Sequence, residues 1–213
     1  MILTAVQQDA LSEIINLGFG RAANALSILV KKRVVLKTPE ANIFPIEQLH
    51  QAFTVFEHQE VTTVRQSFQG GISGDMALLI ENESAAGLIN MVRQEDVTKR
   101  SLSEQDQKDL IEIGNILLNA FCGSFGNFLN ISIMFSIPQL YQADIHEVID
   151  LLLGENQQEI QFAVVVKVHF NLAQGSVEGY VVILMGLSSL EELFRAMITE
   201  GFLSEAEGID SDL

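Results

Sequence analysis

The sequence predicts an α+β domain with pseudo-two-fold symmetry, in which two long helices pack on a mostly antiparallel sheet shared by both halves. Three observations carry this. Residues 9–39 and 108–138 read as two copies of one unit at a shift of 99, with Glu13 on Glu112, Asn16 on Asn115 and Pro39 on Pro138. The chain has only 3 prolines, so two matched ones weigh heavily. Downstream, the run from Gly74 to Ile80 resembles the run from Gly179 to Met185 at a shift of 105, which leaves about six residues gained in the loops of the second copy. Two copies suggest a closed pseudo-dimer; an open solenoid needs three or more repeats.

Each copy shows the same order of elements. A long amphipathic helix comes first, over 5–30 and 104–129. Thr4 with Gln7 forms a capping-box start for the first, and Ser103 is the N-cap of the second. Leu11, Ile14, Ala22, Ala25 and Leu29 make the apolar stripe of the first helix; Leu110, Ile113, Leu117, Phe121, Phe125 and Phe128 make that of the second. A β-branched run follows, 33–37 or 131–136, and then the proline, which ends a strand or holds an edge because it cannot donate to a ladder. The segment 40–51 reads as a loop with a short helix, and 52–57 as a further strand. Strands at 62–69 and 74–80 pair around the glycines 70, 71 and 74; those at 162–172 and 177–186 pair around 173–179. Helices at 83–94 and 188–200 close the copies. No linker composition separates the halves, so a single domain over 1–202 is expected, with repeats at about 5–98 and 104–202 and an acidic, flexible tail at 203–213.

Composition excludes several classes. Of 213 residues 48% are apolar, enough for a sizeable core, yet no apolar run reaches the ~18 residues of a membrane span. The first residues lack the basic and apolar segments of a signal peptide. One cysteine, Cys122, allows no internal disulfide, which fits a reducing cytoplasm; flanked by Phe121 and Phe125, it reads as a small buried hydrophobe. A net charge of −16 argues against nucleic acid as a partner. The basic cluster Lys31, Lys32 and Arg33 suits a helix C-terminus. His50, His58, His146 and His169 are scattered without zinc-ligand spacing, and the glycine clusters at 18–20 and 70–74 lack the Gly-Lys-Ser/Thr ending of a phosphate loop. Those glycines read as packing and turn residues.

The residues that stand out are two Glu–Asn pairs. Glu13 and Asn16 lie three apart on the first helix, outside its apolar stripe, so their side chains emerge on one face; Glu112 and Asn115 repeat this on the second. A lone pair of this kind is ordinarily a solvated surface. Asparagine, however, competes with the helix backbone, and both copies keep it after the same glutamate and before the same proline. A rival structural reading has Asn16 and Asn115 capping or bridging across the pseudo-two-fold axis.

The pattern Asp or Ser, three residues, Glu, two residues, Asn, twenty-two residues, Pro resembles that of the CheC, CheX and FliY family of response-regulator phosphatases. Asp9, Glu13, Asn16 and Pro39 match at every point; Glu112, Asn115 and Pro138 match, with Lys108 in the first place and Asp109 one position out of register. The run Glu-Ile-Gly-Asn-Ile at 112–116 is the family's usual wording, whereas Ile15 replaces the glycine in the first copy. Two Glu–Asn pairs resemble CheC more than the single-site CheX, and the chain length leaves no room for the extra switch-binding domain of FliY. The resemblance implies a cytoplasmic phospho-aspartyl phosphatase acting on a CheY-like receiver in chemotaxis or related two-component signalling. It further implies that Asn16 and Asn115 orient the attacking water, that Glu13 and Glu112 fix the partner through a lysine, and that Asp9 supports the first site. Pro39 and Pro138 shape the strand ends beside the motif. No cofactor is expected in this chain; Mg2+ belongs to the receiver. A CheD-like protein is a further expected partner. The alternative is a non-catalytic module that docks a receiver or a CheD-like protein. Ile15 is expected to change how closely a partner backbone approaches.

Overall fold

A computed structural model describes residues 4–37, 41–57, 59–93, 95, 101–154, 160–172 and 175–204. The elements in chain order are helix α1 (Ala5–Val30), strands β1 (Val35–Leu36) and β2 (Ala41–Pro45), helix α2 (Leu49–Ala52), strands β3 (Glu60–Gly70) and β4 (Gly74–Glu81), and helix α3 (Asn82–Arg93). The second copy supplies α4 (Glu104–Phe128), β5 (Ile133–Phe135), β6 (Gln139–Asp144), α5 (Ile145–Leu153), β7 (Phe162–Leu172), β8 (Gly175–Met185) and α6 (Leu187–Thr199).

Both long helices start where their caps place them. Thr4 accepts from the Gln7 amide while the Gln7 side chain accepts from Thr4, and Ser103 makes the same reciprocal box with Asp106. Helix α1 ends at Lys31, whose left-handed φ of 53° closes the last turn.

The eight strands form one antiparallel sheet in the order β1-β7-β8-β4-β3-β5, with β2 also on β7 and β6 also on β3. The central pair β4–β8 joins the halves, with Ala77 opposite Val182. The outer pairings exchange copies: the strands that follow α1 pair with β7 of the second copy, and those that follow α4 pair with β3 of the first. Phe68 opposes Phe135, and Phe170 opposes Leu36. Since Leu36 and Phe135 are 99 apart, Phe68 and Phe170 occupy equivalent places.

Strand alternation divides the apolar residues between two faces. Met76, Leu78, Ile80, Val181 and Ile183 pack with α1, α4, α3 and α6; Ala77, Leu79, Val182 and Leu184 pack with α2 and α5. The sheet is therefore buried on both sides. Phe19 and Phe121 join α1 to α4, with ring centroids 4.5 Å apart. The packing role expected for the glycines holds at Gly18, where a Cβ would lie 2.9 Å from the Phe121 ring.

Two expectations change. Residues 52–57 are not a strand: Ala52 ends α2 and Thr54–Phe56 form a 3-10 turn, because Phe53 and Phe56 face inward together on Tyr180. The segment 40–51 contains a strand, Ala41–Pro45, before its short helix, since β7 offers an open edge. Pro45 stands last in that edge strand, where no donor is missed. Strand β6 and helix α5 were not expected: β6 mixes polar and apolar residues without a clean period, whereas α5 does carry a helical stripe, Ile145, Val148, Ile149, Leu152 and Leu153, in a segment of only nine residues. Pro39, His58 and residues 205–213 of the tail lie outside the described residues.

Cys122 is buried, as its apolar setting suggests, and burial pushes its thiol up to about 12. It should resist alkylation in the native protein at pH 8 and react once the chain is unfolded in urea. The sign follows from the unfolded thiol, which ionises near ~8.5. Below that pH both states keep the proton and stability is unaffected; above it, the unfolded state alone ionises and stability falls as pH rises toward about 12. Cys122→Ala should reduce that alkaline loss.

Candidate functional site

Asp9, Glu13 and Asn16 lie on the exposed face of α1. They share it with Leu17, a half-exposed apolar residue. The side chain of Asn16 makes no hydrogen bond among the described residues. Both ends of its amide, a donor and an acceptor, are therefore open to a partner.

The second copy differs at its asparagine. Glu112 is exposed, but Asn115 is half-buried and held. Its Oδ1 accepts from Gln66 Nε2 at 3.3 Å and from Asn119 Nδ2 at 2.8 Å. The same Gln66 nitrogen donates to the Ser136 carbonyl at 2.7 Å. Ser136 is also tied to β3 through its own amide, which donates to Ser67 O, and through its hydroxyl, which accepts from Ser67 N. Pro138 follows two residues later, half-buried between β5 and β6, so the strand end it occupies is fastened to the residue that holds Asn115. Ile137 between them is 85% exposed. The structural reading of the asparagines thus applies to Asn115, which bridges to a strand of the other copy, and not to Asn16.

Lys108 is exposed, while its neighbour Asp109 does not stand in for Asp9. Asp109 is committed to Arg93, whose Nη2 lies 2.6 Å from it, and to Gln105. That carboxylate keeps the Arg93 guanidinium above its ordinary pKa.

Ile15 corrects an expectation. It is 0% exposed and packs in the core, so it never meets a partner backbone. Its counterpart Gly114 is buried too, and a Cβ there would lie 2.7 Å from Val64 Cγ1. The glycine answers to internal packing against β3. Gly114→Ala should destabilise the protein by about 1–3 kcal/mol, read as a lowered urea midpoint with unchanged slope. Of the other flanking residues, Leu117 is buried and Ile116 is half-buried against the core; only Leu17 is exposed.

Gln66, Asn119 and Ser136 escaped the sequence reading. Asn119 carried a local signal, since a residue four beyond Asn115 shares its helix face. Gln66 carried a weaker one: it alternates with Val64 and Phe68 on the inward face of a strand, where a glutamine is out of place.

No family model matches the sequence. Among curated proteins, the chain is 24% identical over 215 residues to the flagellar motor switch phosphatase FliY of Bacillus subtilis, covering 99% of this chain and 54% of that protein. It is also 24% identical over 196 residues to the CheY-P phosphatase CheC of the same organism, covering 90% of this chain and 93% of that one. Thermotoga maritima FliY shares the fold with a TM-score of 0.76 at 17% identity, covering 94% of this chain and 100% of that chain. The FliM middle domain of H. pylori shares it with a TM-score of 0.63 at 12% identity, covering 92% and 100%. The duplicated α+β fold is thus one that this chain shares with Thermotoga maritima FliY and the FliM middle domain of H. pylori. In sequence the chain is similar to the phosphatases CheC and FliY, at 24% identity to each. It spans about half the length of the FliY relative it matches, so what that whole protein does is not carried over with the fold.

Proposed function

We propose that this chain hydrolyses the phospho-aspartate of a CheY-like response regulator. The observation that carries the reading is the pair of Glu–Asn motifs, Glu13 with Asn16 and Glu112 with Asn115, on the accessible faces of two equivalent helices, in a chain similar to two proteins named as phosphatases. In the reaction, water attacks phosphorus and the bond from phosphorus to the aspartyl oxygen breaks. The products are the free carboxylate and inorganic phosphate, and the proton goes to solvent.

Little covalent work falls to the phosphatase, so positioning is its main contribution. Asn16 and Asn115 place the attacking water. Glu13 and Glu112 pair with a lysine beside the phosphorylated aspartate and set the register by a charge-assisted bond. Asp9 supports the first site. The divalent metal, Mg2+ in this reading, comes with the receiver, and the encounter takes place in the cytoplasm. Among the described residues no helix is long and apolar enough to cross a membrane. With a net charge of −16, long-range attraction to acidic receivers is absent, and recognition rests on the local surface.

The test is the decay of a phosphorylated receiver from the same organism with and without this protein. Accelerated release of phosphate supports the reading. Binding without acceleration would replace it with the docking-module reading, for a receiver or a CheD-like partner.

A further inference from the structure

We infer that Gln66 is a positioning residue of the second site, one that fixes which end of the Asn115 amide meets a partner; this rests on the phosphatase reading above and deepens it. The orientation of each amide follows from one fixed point. The Ser136 carbonyl can only accept, so the Gln66 group 2.7 Å from it is the NH2. The same nitrogen lies 3.3 Å from the Asn115 side chain, so the atom facing it there must be the acceptor, Oδ1. The Asn119 group 2.8 Å from that oxygen is then an NH2 as well. Both lone pairs of Asn115 Oδ1 are occupied, and what the second site offers a partner is the Asn115 NH2. Such a group takes an acceptor: a lone pair of the attacking water, which leaves the water's other lone pair for phosphorus, or a phosphoryl oxygen.

The first site is built otherwise. The outer ladders make Gln66 equivalent to Val168, each two residues before the matched Phe68 and Phe170. Asn119 corresponds to Gly20 and Ser136 to Lys37. None of the three amide contacts has a counterpart, and Asn16 is free to present either end. Val168 also shows that an apolar side chain serves this strand position for packing, being fully buried. Gln66, at 2% exposure, is the costlier choice. Its Oε1 and the Asn119 Oδ1 are buried and accept no hydrogen bond among the described residues. A glutamine kept at that cost, aimed at the motif asparagine, argues for a role beyond packing.

The experiment places Gln66→Leu in two backgrounds and follows receiver dephosphorylation. In Asn16→Ala, where only the second site works, kcat should fall on the order of tenfold while KM stays within about twofold, since the loss is one of orientation and not of docking. In Asn115→Ala, where only the first site works, the substitution has no asparagine left to orient. An equal loss in both backgrounds would mean general damage to the fold and would overturn the inference, as would an unchanged kcat in Asn16→Ala. The protein alone gives a second readout: the Asn115 side-chain NH2 should give one well-dispersed NMR pair that collapses toward the random-coil position in Gln66→Leu. If the wild type does not accelerate decay at all, the phosphatase reading fails and the catalytic role of Gln66 fails with it. The NMR pair then separates that failure from the failure of Gln66 to hold Asn115. An Asn115 pair unmoved by Gln66→Leu overturns the inference on its own.

Discussion

Replacing both Asn16 and Asn115 by alanine should slow receiver dephosphorylation on the order of 10²-fold or more, to the receiver's own rate, while leaving binding largely intact. On the proposed reading, neither asparagine holds the partner. Each would supply the placement of one water, an interaction made in the transition state, so its loss should appear in kcat. The single variants should not be equal. Asn115 is oriented by Gln66 and Asn119 before any partner arrives, whereas Asn16 must be ordered on binding. A preorganised group loses less freedom on reaching the reactive geometry, so Asn115→Ala should cost more kcat than Asn16→Ala. Glu13→Gln and Glu112→Gln should instead raise KM, because a charge-assisted contact that sets register is made in the ground state as well. Single-turnover decay at saturating and subsaturating phosphatase separates the two patterns. Equal, small effects of all four substitutions would sink the assignment of roles.

Arg93→Ala should lower stability by about 3 kcal/mol, a fall in melting temperature on the order of 6–12 °C for a chain of this size. Arg93 ends α3 in the first copy and donates to Asp106 at 2.7 Å and to Asp109 at 2.6 Å on α4 of the second. The Asp106 side chain is 0% exposed. Removing Arg93 would take one charged partner from that buried carboxylate, and the weaker compensation of its charge is the source of the loss. The Ser103 amide and hydroxyl still donate to Asp106 at 2.7 Å, which places the expected effect at the lower end for a buried ion pair. Arg93→Lys should recover only part of it, since one ammonium cannot span two carboxylates as the fork does. Differential scanning calorimetry at pH 7 reads both. A double variant with Asp106→Asn tests the cause: the loss should shrink when the buried charge is gone. Persistence of the full loss would point to packing of the arginine stem.

Much of the fold was legible before the structure. The duplication, the two long helices with their capping boxes, the two hairpins and the closing helices follow from local signals: side-chain caps, 3.6-residue stripes and turn glycines act within a few residues of where they are read. The two Glu–Asn pairs were legible for the same reason, since residues three apart on a helix share a face whatever the helix packs against. The sequence alone also determined the family resemblance that Asp9, Pro39 and Pro138 complete.

What the sequence did not determine is which copy each strand pairs with. Hydrogen bonding along a ladder is the same for any partner of suitable register, so nothing local in β1, β2, β5 or β6 says that they cross to the other half. That exchange is a property of the closed tertiary structure, and it decides the surroundings of the second Glu–Asn pair. It brings Gln66 of the first copy to Asn115 of the second, gives the first site Val168 at the equivalent place, and so makes two nearly identical motifs unequal. The burial of Ile15 and the tight seat of Gly114 against Val64 have the same origin. Motif spacing is written along the chain; the surroundings that orient a motif are set by contacts between residues far apart in it.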